Sequence, residues 1–205
     1  MPERGKFISL EGIDGCGKTT LREQLHDYLK DKYEILILRE PGGTEVSEKI
    51  RDMLLDIRNV GIRPRTEAFL YAASRSQLVE EMIRPALLAG KVVIADRYMD
   101  STIAYQGYGR GLDIAFLQAL NQLCTDGLKP DLTLLLDIDP REGQRRRKKD
   151  IPDRLEKEGL AFQSRIRQGY LAMQQAEPER IKFLNGADSI AALREQALQY
   201  LTGIL

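Results

Sequence analysis

The chain carries one histidine, two cysteines and no tryptophan in 205 residues, and its 31 Lys and Arg are balanced by 31 Asp and Glu. Two cysteines, Cys16 and Cys124, make no disulfide framework and suit a reducing compartment. Zero net charge argues against nucleic-acid binding through bulk charge, while leaving room for a local basic patch. No run of eighteen apolar residues occurs, so no transmembrane span and no membrane partner are expected. The first residues, Met1-Pro2-Glu3-Arg4-Gly5-Lys6, lack the apolar stretch of a secretory signal, and a soluble cytoplasmic protein is the expectation. His26 falls on the polar side of a predicted helix and reads as a solvated residue.

What is present begins with Gly12-Ile13-Asp14-Gly15-Cys16-Gly17-Lys18-Thr19, the pattern G-x-x-x-x-G-K-[ST]. Its glycines let a loop turn successive backbone N–H groups toward a phosphate chain. Lys18 reaches the outer phosphates, and the Thr19 hydroxyl ligates Mg²⁺. The helix that Lys18 and Thr19 open presents its positive end to an anion. The plain alternative is a glycine-rich turn. The flanks favour the phosphate loop: Phe7–Glu11 reads as a buried strand, and Leu21, Leu25, Tyr28 and Leu29 share a helical face. Candidate ATP-binding residues are therefore Gly12, Asp14, Gly15, Cys16, Gly17, Lys18, Thr19 and Thr20.

Four more apolar runs, at 34–38, 91–95, 132–136 and 180–184, alternate with helical patterns at roughly 18–30, 44–56, 66–89, 113–125, 140–148, 157–177 and 188–203. Continuous apolar strands separated by helices imply a doubly wound α/β domain, a five-stranded parallel sheet covered on both faces. Ligands then bind at the carboxyl ends of the strands. Those ends are polar: Arg39-Glu40-Pro41-Gly42-Gly43-Thr44, Asp96-Arg97-Tyr98, Asp137-Ile138-Asp139 and Asn185-Gly186-Ala187-Asp188. Asp96, ending an apolar strand, is a candidate Mg²⁺ ligand with Thr19.

Arg145-Arg146-Arg147-Lys148-Lys149 is a run of five cations that cannot pack in a core. Beside a phosphate loop it reads as a small basic lid, over about 141–156 of a single domain 1–205. A GTPase switch would need N-K-x-D or T-K-x-D, and neither occurs. A kinase needs a second anion site, for which Arg51, Arg75 and Arg97 are candidates, because a guanidinium fork suits phosphate. Tyr71 shares a helical face with Arg75. Taken singly, core packing for Tyr71 and a surface pair for each arginine remain the simpler readings.

The chain resembles the thymidylate kinase family from Phe7 to about Leu184. The P-loop is widely shared. Glu40-Pro41-Gly42-Gly43-Thr44, Tyr71-Ala72-Ala73-Ser74-Arg75, Asp96-Arg97-Tyr98, Ser101-Thr102-Ile103-Ala104-Tyr105-Gln106 and Asp153-Arg154-Leu155-Glu156 are more specific. The resemblance implies transfer of the ATP γ-phosphoryl group to dTMP, with Mg²⁺ as cofactor, in a cytoplasmic homodimer. It implies that Asp14 accepts from the sugar 3′-hydroxyl and that Tyr71 stacks on thymine. Arg75 and Gln106 read the thymine edge, with Thr102 and Ser101 nearby. It implies that Arg97 and Arg51 hold the acceptor phosphate, that Tyr105 excludes a ribose hydroxyl, and that Glu40-Pro41 lines the site with a cis peptide. With Gly15 in the P-loop, the chain resembles the subtype that takes its catalytic cation from the lid. That cation is Arg147 or Lys149, with Arg145 beside ATP and Lys18 and Arg97 completing the catalytic set. Another monophosphate or deoxynucleoside kinase is the alternative.

Overall fold

Phe7–Glu11 (β1) is buried along its whole length, because the strand lies at the centre of the sheet and has no solvent face. In the computed structural model, which describes residues 4–147 and 154–205, four strands accompany it: Ile35–Arg39 (β2), Val92–Asp96 (β3), Leu132–Asp137 (β4) and Ile181–Asn185 (β5). Their order is β2-β3-β1-β4-β5, and every pairing is parallel. The doubly wound parallel sheet expected from the apolar runs is present, each strand within a residue or so of its predicted place. Burying Phe7, Ile8 and Leu10 stabilises the sheet by roughly 1.5–3 kcal/mol each relative to exposure.

The helices are Lys18–Leu29 (α1), Glu45–Leu55 (α2), Pro64–Leu78 (α3), Arg84–Leu88 (α4), Met99–Thr102 (α5), Ile114–Thr125 (α6), Pro140–Arg146 (α7), Gly159–Ala176 (α8) and Ile190–Thr202 (α9). Three corrections concern them. The single helix expected over 66–89 is interrupted by a wide π-helical turn, Val79–Ile83, ahead of α4. Pro85 has no N–H to return to the preceding turn, and a widened turn accommodates that loss. Tyr28 is half-exposed, so the buried stripe of α1 is Leu21, Leu25 and Leu29 alone. Cys124 reads from the sequence as a core residue of its helix, and it is only half-buried.

The register sets the height of the functional edge. Leu10 pairs with Asp96 on one side of β1 and with Leu134 on the other, while Arg39 pairs with Asp96. The residues following β1, β2 and β3 therefore emerge at one level. β1 and β3 are neighbours whose onward connections leave in opposite directions, to β2 and to β4, which opens a crevice between them at that edge. Helix α7 sits against the P-loop by backbone contact. A Cβ on Gly143 would lie 2.6 Å from the Asp14 carbonyl oxygen, and one on Gly15 would meet the Gly143 carbonyl. No described helix is long and apolar enough to cross a membrane.

Candidate functional site

The P-loop takes its shape from backbone that only glycine adopts without strain: Gly12, Gly15 and Gly17 have φ of 142°, 80° and 102°. Lys18, the first residue of α1, is buried, and its Nζ donates to the carbonyls of Gly12 (3.0 Å) and Ile13 (3.1 Å). Cys16 is fully buried behind the loop. Thr19 and Thr20 are exposed at the head of the helix. Asp96 ends β3 facing the same space, with Arg22 at 3.6 Å. Asp96 and Thr19 offer two hard oxygen donors, a set that suits Mg²⁺ completed by phosphates and water. Among the described residues no group of three or more His, Cys, Asp or Glu side chains could hold a metal by itself.

Arg97 follows β3 with φ 71°, unusual for a residue with a side chain. Two bonds fix that backbone: Arg97 N–H donates to Leu10 O (3.0 Å), and Tyr98 N–H to Glu11 Oε1 (2.7 Å). The turn aims the guanidinium back at the P-loop, where Nη1 donates to Gly12 O (2.9 Å) and Nη2 to the Asp14 carboxylate. Tyr105 stacks its ring under the guanidinium, 4.9 Å away, and donates its hydroxyl to Asp14 Oδ2 (3.1 Å). Burial works to raise the pKa of Asp14, but Arg97, Lys18, Arg147 and the Tyr105 hydroxyl outweigh it and hold the carboxyl at about 2. Behind Arg97, Glu11 Oε2 accepts from Ser101 (2.6 Å) and Tyr170 (2.8 Å). Burial foremost, then Asp100, pushes the Glu11 carboxyl up to about 7.

A second buried arginine anchors the far end. Arg75 Nε donates to Glu40 Oε2 (2.7 Å), Nη1 to Thr102 (2.8 Å) and Asn121 (2.8 Å), and Nη2 to Tyr98 O (3.1 Å). A guanidinium has five N–H groups, so these bonds leave one Nη2 hydrogen for a ligand. The Glu40–Pro41 peptide is cis, as expected. Arg51 Nη1 donates to Pro41 O (2.7 Å), which ties α2 to this segment. Tyr71, on α3, is partly buried against the main core.

Most of these groups line one cavity of about 620 Å³. The P-loop, Lys18, Thr19, Thr20 and Asp96 contribute to it from β1, α1 and β3, and Tyr71, Arg75, Thr102 and Gln106 from α3, α5 and the segment after α5. Asp14, Arg97, Ser101 and Tyr105 lie on its wall, as do Glu40, Pro41, Arg51 and Arg147. Three expected site residues are placed otherwise. Gly12 and Cys16 sit behind the lining, and Arg145 points to solvent, paired with Glu142 at 2.7 Å. Lys149 lies outside the described residues. The structure adds Arg39, Leu55, Arg146 and Leu155 to the wall. Leu155 stands in the Asp153-Arg154-Leu155-Glu156 segment, which flagged it without suggesting a role. Glu11 and Tyr170 carried no local signal, because their contacts span 69 residues or more.

Known proteins resemble this chain over nearly its full length. A family model described as thymidylate kinase matches residues 10–197. The chain is 49% identical over 196 residues to a thymidylate kinase of Thermoanaerobacter sp. (strain X514), covering 95% of this chain and 96% of the relative. It is 48% identical over 205 residues to one from Caldanaerobacter subterraneus subsp. tengcongensis, covering 98% of each. A crystal structure of thymidylate kinase from Ehrlichia chaffeensis superposes with a TM-score of 0.80 at 33% identity, covering 97% of this chain and 99% of that one.

Proposed function

The chain belongs to the thymidylate kinase family, and from that membership we propose that it transfers the γ-phosphoryl group of ATP to the 5′-phosphate of dTMP, giving ADP and dTDP. One observation carries the assignment of roles. Lys18 from the P-loop helix and Arg97 from the β3 turn both donate to the Gly12 carbonyl. Their charged nitrogens are therefore less than about 6 Å apart, each within hydrogen-bonding reach of one oxygen. A cation for the donor phosphates stands beside a cation for the acceptor phosphate, which is where an in-line transfer needs them.

The attacking oxygen belongs to a phosphate that is already an anion, so no strong general base is required. The chain's contribution is position and charge. Lys18 and the P-loop amides hold the β- and γ-phosphates, and Arg97 with Arg51 holds the acceptor phosphate. Arg147, on the cavity wall and close enough for its charge to act on Asp14, is the lid cation that this reading favours. Asp14, kept ionised, accepts from the 3′-hydroxyl. Tyr71 stacks on the base, and the remaining Arg75 N–H meets its O4. The Tyr105 ring, pinned between Arg97 and Phe162, closes the space at the sugar C2′. Asp96 and Thr19 would hold Mg²⁺ directly or through water, and the ion would supply positive charge to the phosphates there.

The reading includes a homodimer, supported by Phe69 on α3 and Leu123 on α6, large apolar residues left exposed on helices beside the acceptor end. It includes a cytoplasmic setting, which two free thiols suit. Phosphorus NMR of a mixture of Mg·ATP and dTMP tests the reaction. Growth of a nucleoside diphosphate pair, ADP and dTDP in equal amounts, is expected. Inorganic phosphate as the product would refute it.

A further inference from the structure

Glu67 is the most deeply buried carboxylate near the acceptor end that the mechanism above does not use, with a side-chain exposure of 0%. It lies in the first turn of α3 and gathers donors from the 106–110 segment and an ion pair from Arg154. Gln106 Nε2 donates to Oε1 at 2.9 Å. Arg110 grips both oxygens, Nε to Oε1 and Nη2 to Oε2, each at 3.2 Å. Arg154 Nη2 stands 2.6 Å from Oε2. Two guanidinium groups face it, so the carboxylate is paired and offers acceptors only.

That last property has a consequence for Gln106. A glutamine amide presents a donor and an acceptor, and rotation of χ3 by half a turn exchanges them at little intrinsic cost. Beside a carboxylate the exchange is forbidden, because the flipped amide would set oxygen against oxygen. Gln106 is 2% exposed and on the cavity wall. With its nitrogen held by Glu67, its oxygen is the atom left to face a base. Arg75 contributes a donor at the same end.

We infer that Glu67 is a specificity-determining positioning residue, which locks the Gln106 amide so that the base pocket shows an acceptor beside the Arg75 donor. This rests on the reading of the cavity as the dTMP site. Thymine presents N3–H and O4, a donor next to an acceptor, and matches the locked pocket. Cytosine presents a bare N3 and an amino group, and opposes it at both atoms. A base-reading amide free to flip would lose half of that discrimination, since it would donate to the cytosine N3.

The test is the ratio of kcat/KM for dTMP to that for dCMP, measured on the full chain. Glu67→Gln lets the facing amides exchange donor and acceptor, and is expected to lower the ratio at least tenfold. Glu67→Asp keeps the charge against Arg110 and Arg154 while drawing the acceptor back by one methylene. It is expected to lower the ratio in the same direction even if Glu67→Gln does not fold. The exchange Glu67→Gln with Gln106→Glu restores an acceptor facing the base and is expected to recover the ratio. A purely structural role would depress turnover of both acceptors together and leave the ratio unchanged, and that result in the folded variants would overturn the inference alone. Equal use of dCMP and dTMP by the unmodified enzyme would overturn the substrate reading, and this inference with it.

Discussion

Gly143→Ala adds one methyl group and tests how the P-loop and the root of the lid are held together. The new Cβ would stand 2.6 Å from the Asp14 carbonyl oxygen, with Ile138 and Ile13 methyl groups at 3.4 and 3.5 Å. Neither the helix nor the P-loop backbone has a flexible end to give way. Ordinary contact requires about 0.8 Å of withdrawal, and α7 is the element that can move. Overpacking costs roughly 1–3 kcal/mol, and the better helix propensity of Ala offsets about 1 kcal/mol of it, so the fold survives. Function does not, because Arg146 and Arg147 lie three and four residues after Gly143 and line the cavity. A misplacement near 1 Å at a catalytic group costs on the order of 10²-fold in rate. The variant is expected to lose kcat by about that factor at saturating ATP and dTMP. Its calorimetric affinity for dTMP should stay within about twofold, because Tyr71, Arg75 and Gln106 lie at the other end. Gly61→Ala, where an added Cβ meets nothing within 4 Å, serves as the control and should be silent. A Gly143→Ala enzyme with kcat within about threefold of the parent would refute the reasoning.

Lys18→Ala removes the buried cation of the P-loop and should cost on the order of 10³-fold or more in turnover, read by single-turnover kinetics with dTMP. A chelator should abolish turnover while leaving calorimetric dTMP binding intact, since Asp96 and Thr19 lie at the ATP end; loss of dTMP binding would place the metal wrongly. Glu11 has a folded pKa of about 7 against 4.5, so its contribution to stability is present below pH 4.5 and is lost as pH rises through 7. Glu11→Gln should therefore gain thermal stability relative to the parent between pH 5 and pH 8, by paired melting curves, and a constant difference would refute the burial argument.

The sheet was legible in the sequence because a strand covered on both faces is a continuous apolar run, and five such runs stand out between helical patterns. The P-loop was legible because its chemistry is local: eight consecutive residues make the glycine turns, the cation and the hydroxyl. Gln106, and the base-reading role of Arg75, were reachable only through resemblance, since their partners lie 23 to 46 residues away. The segment Met99–Gly109 gave no helical pattern, yet it forms α5 and a second π-helical stretch. Its buried residues include Thr102, Tyr105 and Gln106, polar or aromatic groups that face the cavity, so the usual apolar period is missing. Arg145 and Arg146 are neighbours with the same chemistry, and only the helix phase of α7 sends one to solvent and the other to the cavity wall. Glu67 escaped notice for the same reason that makes it informative: a glutamate in the first turn of a helix is ordinary, and three partners on distant elements are not.

The central claim is that one cavity holds ATP at the P-loop end and a thymine deoxynucleotide at the other. It is tested most directly by ADP formation from Mg·ATP with dTMP, dUMP, dCMP, the ribose form of TMP, thymidine or no acceptor. The account predicts fast turnover with dTMP and turnover slower by roughly 10–200-fold with dUMP, which lacks one methyl group. It predicts discrimination reaching about 10⁴-fold against dCMP, and little above background with the rest. ADP formation that is independent of the acceptor, or faster with another monophosphate, would contradict it.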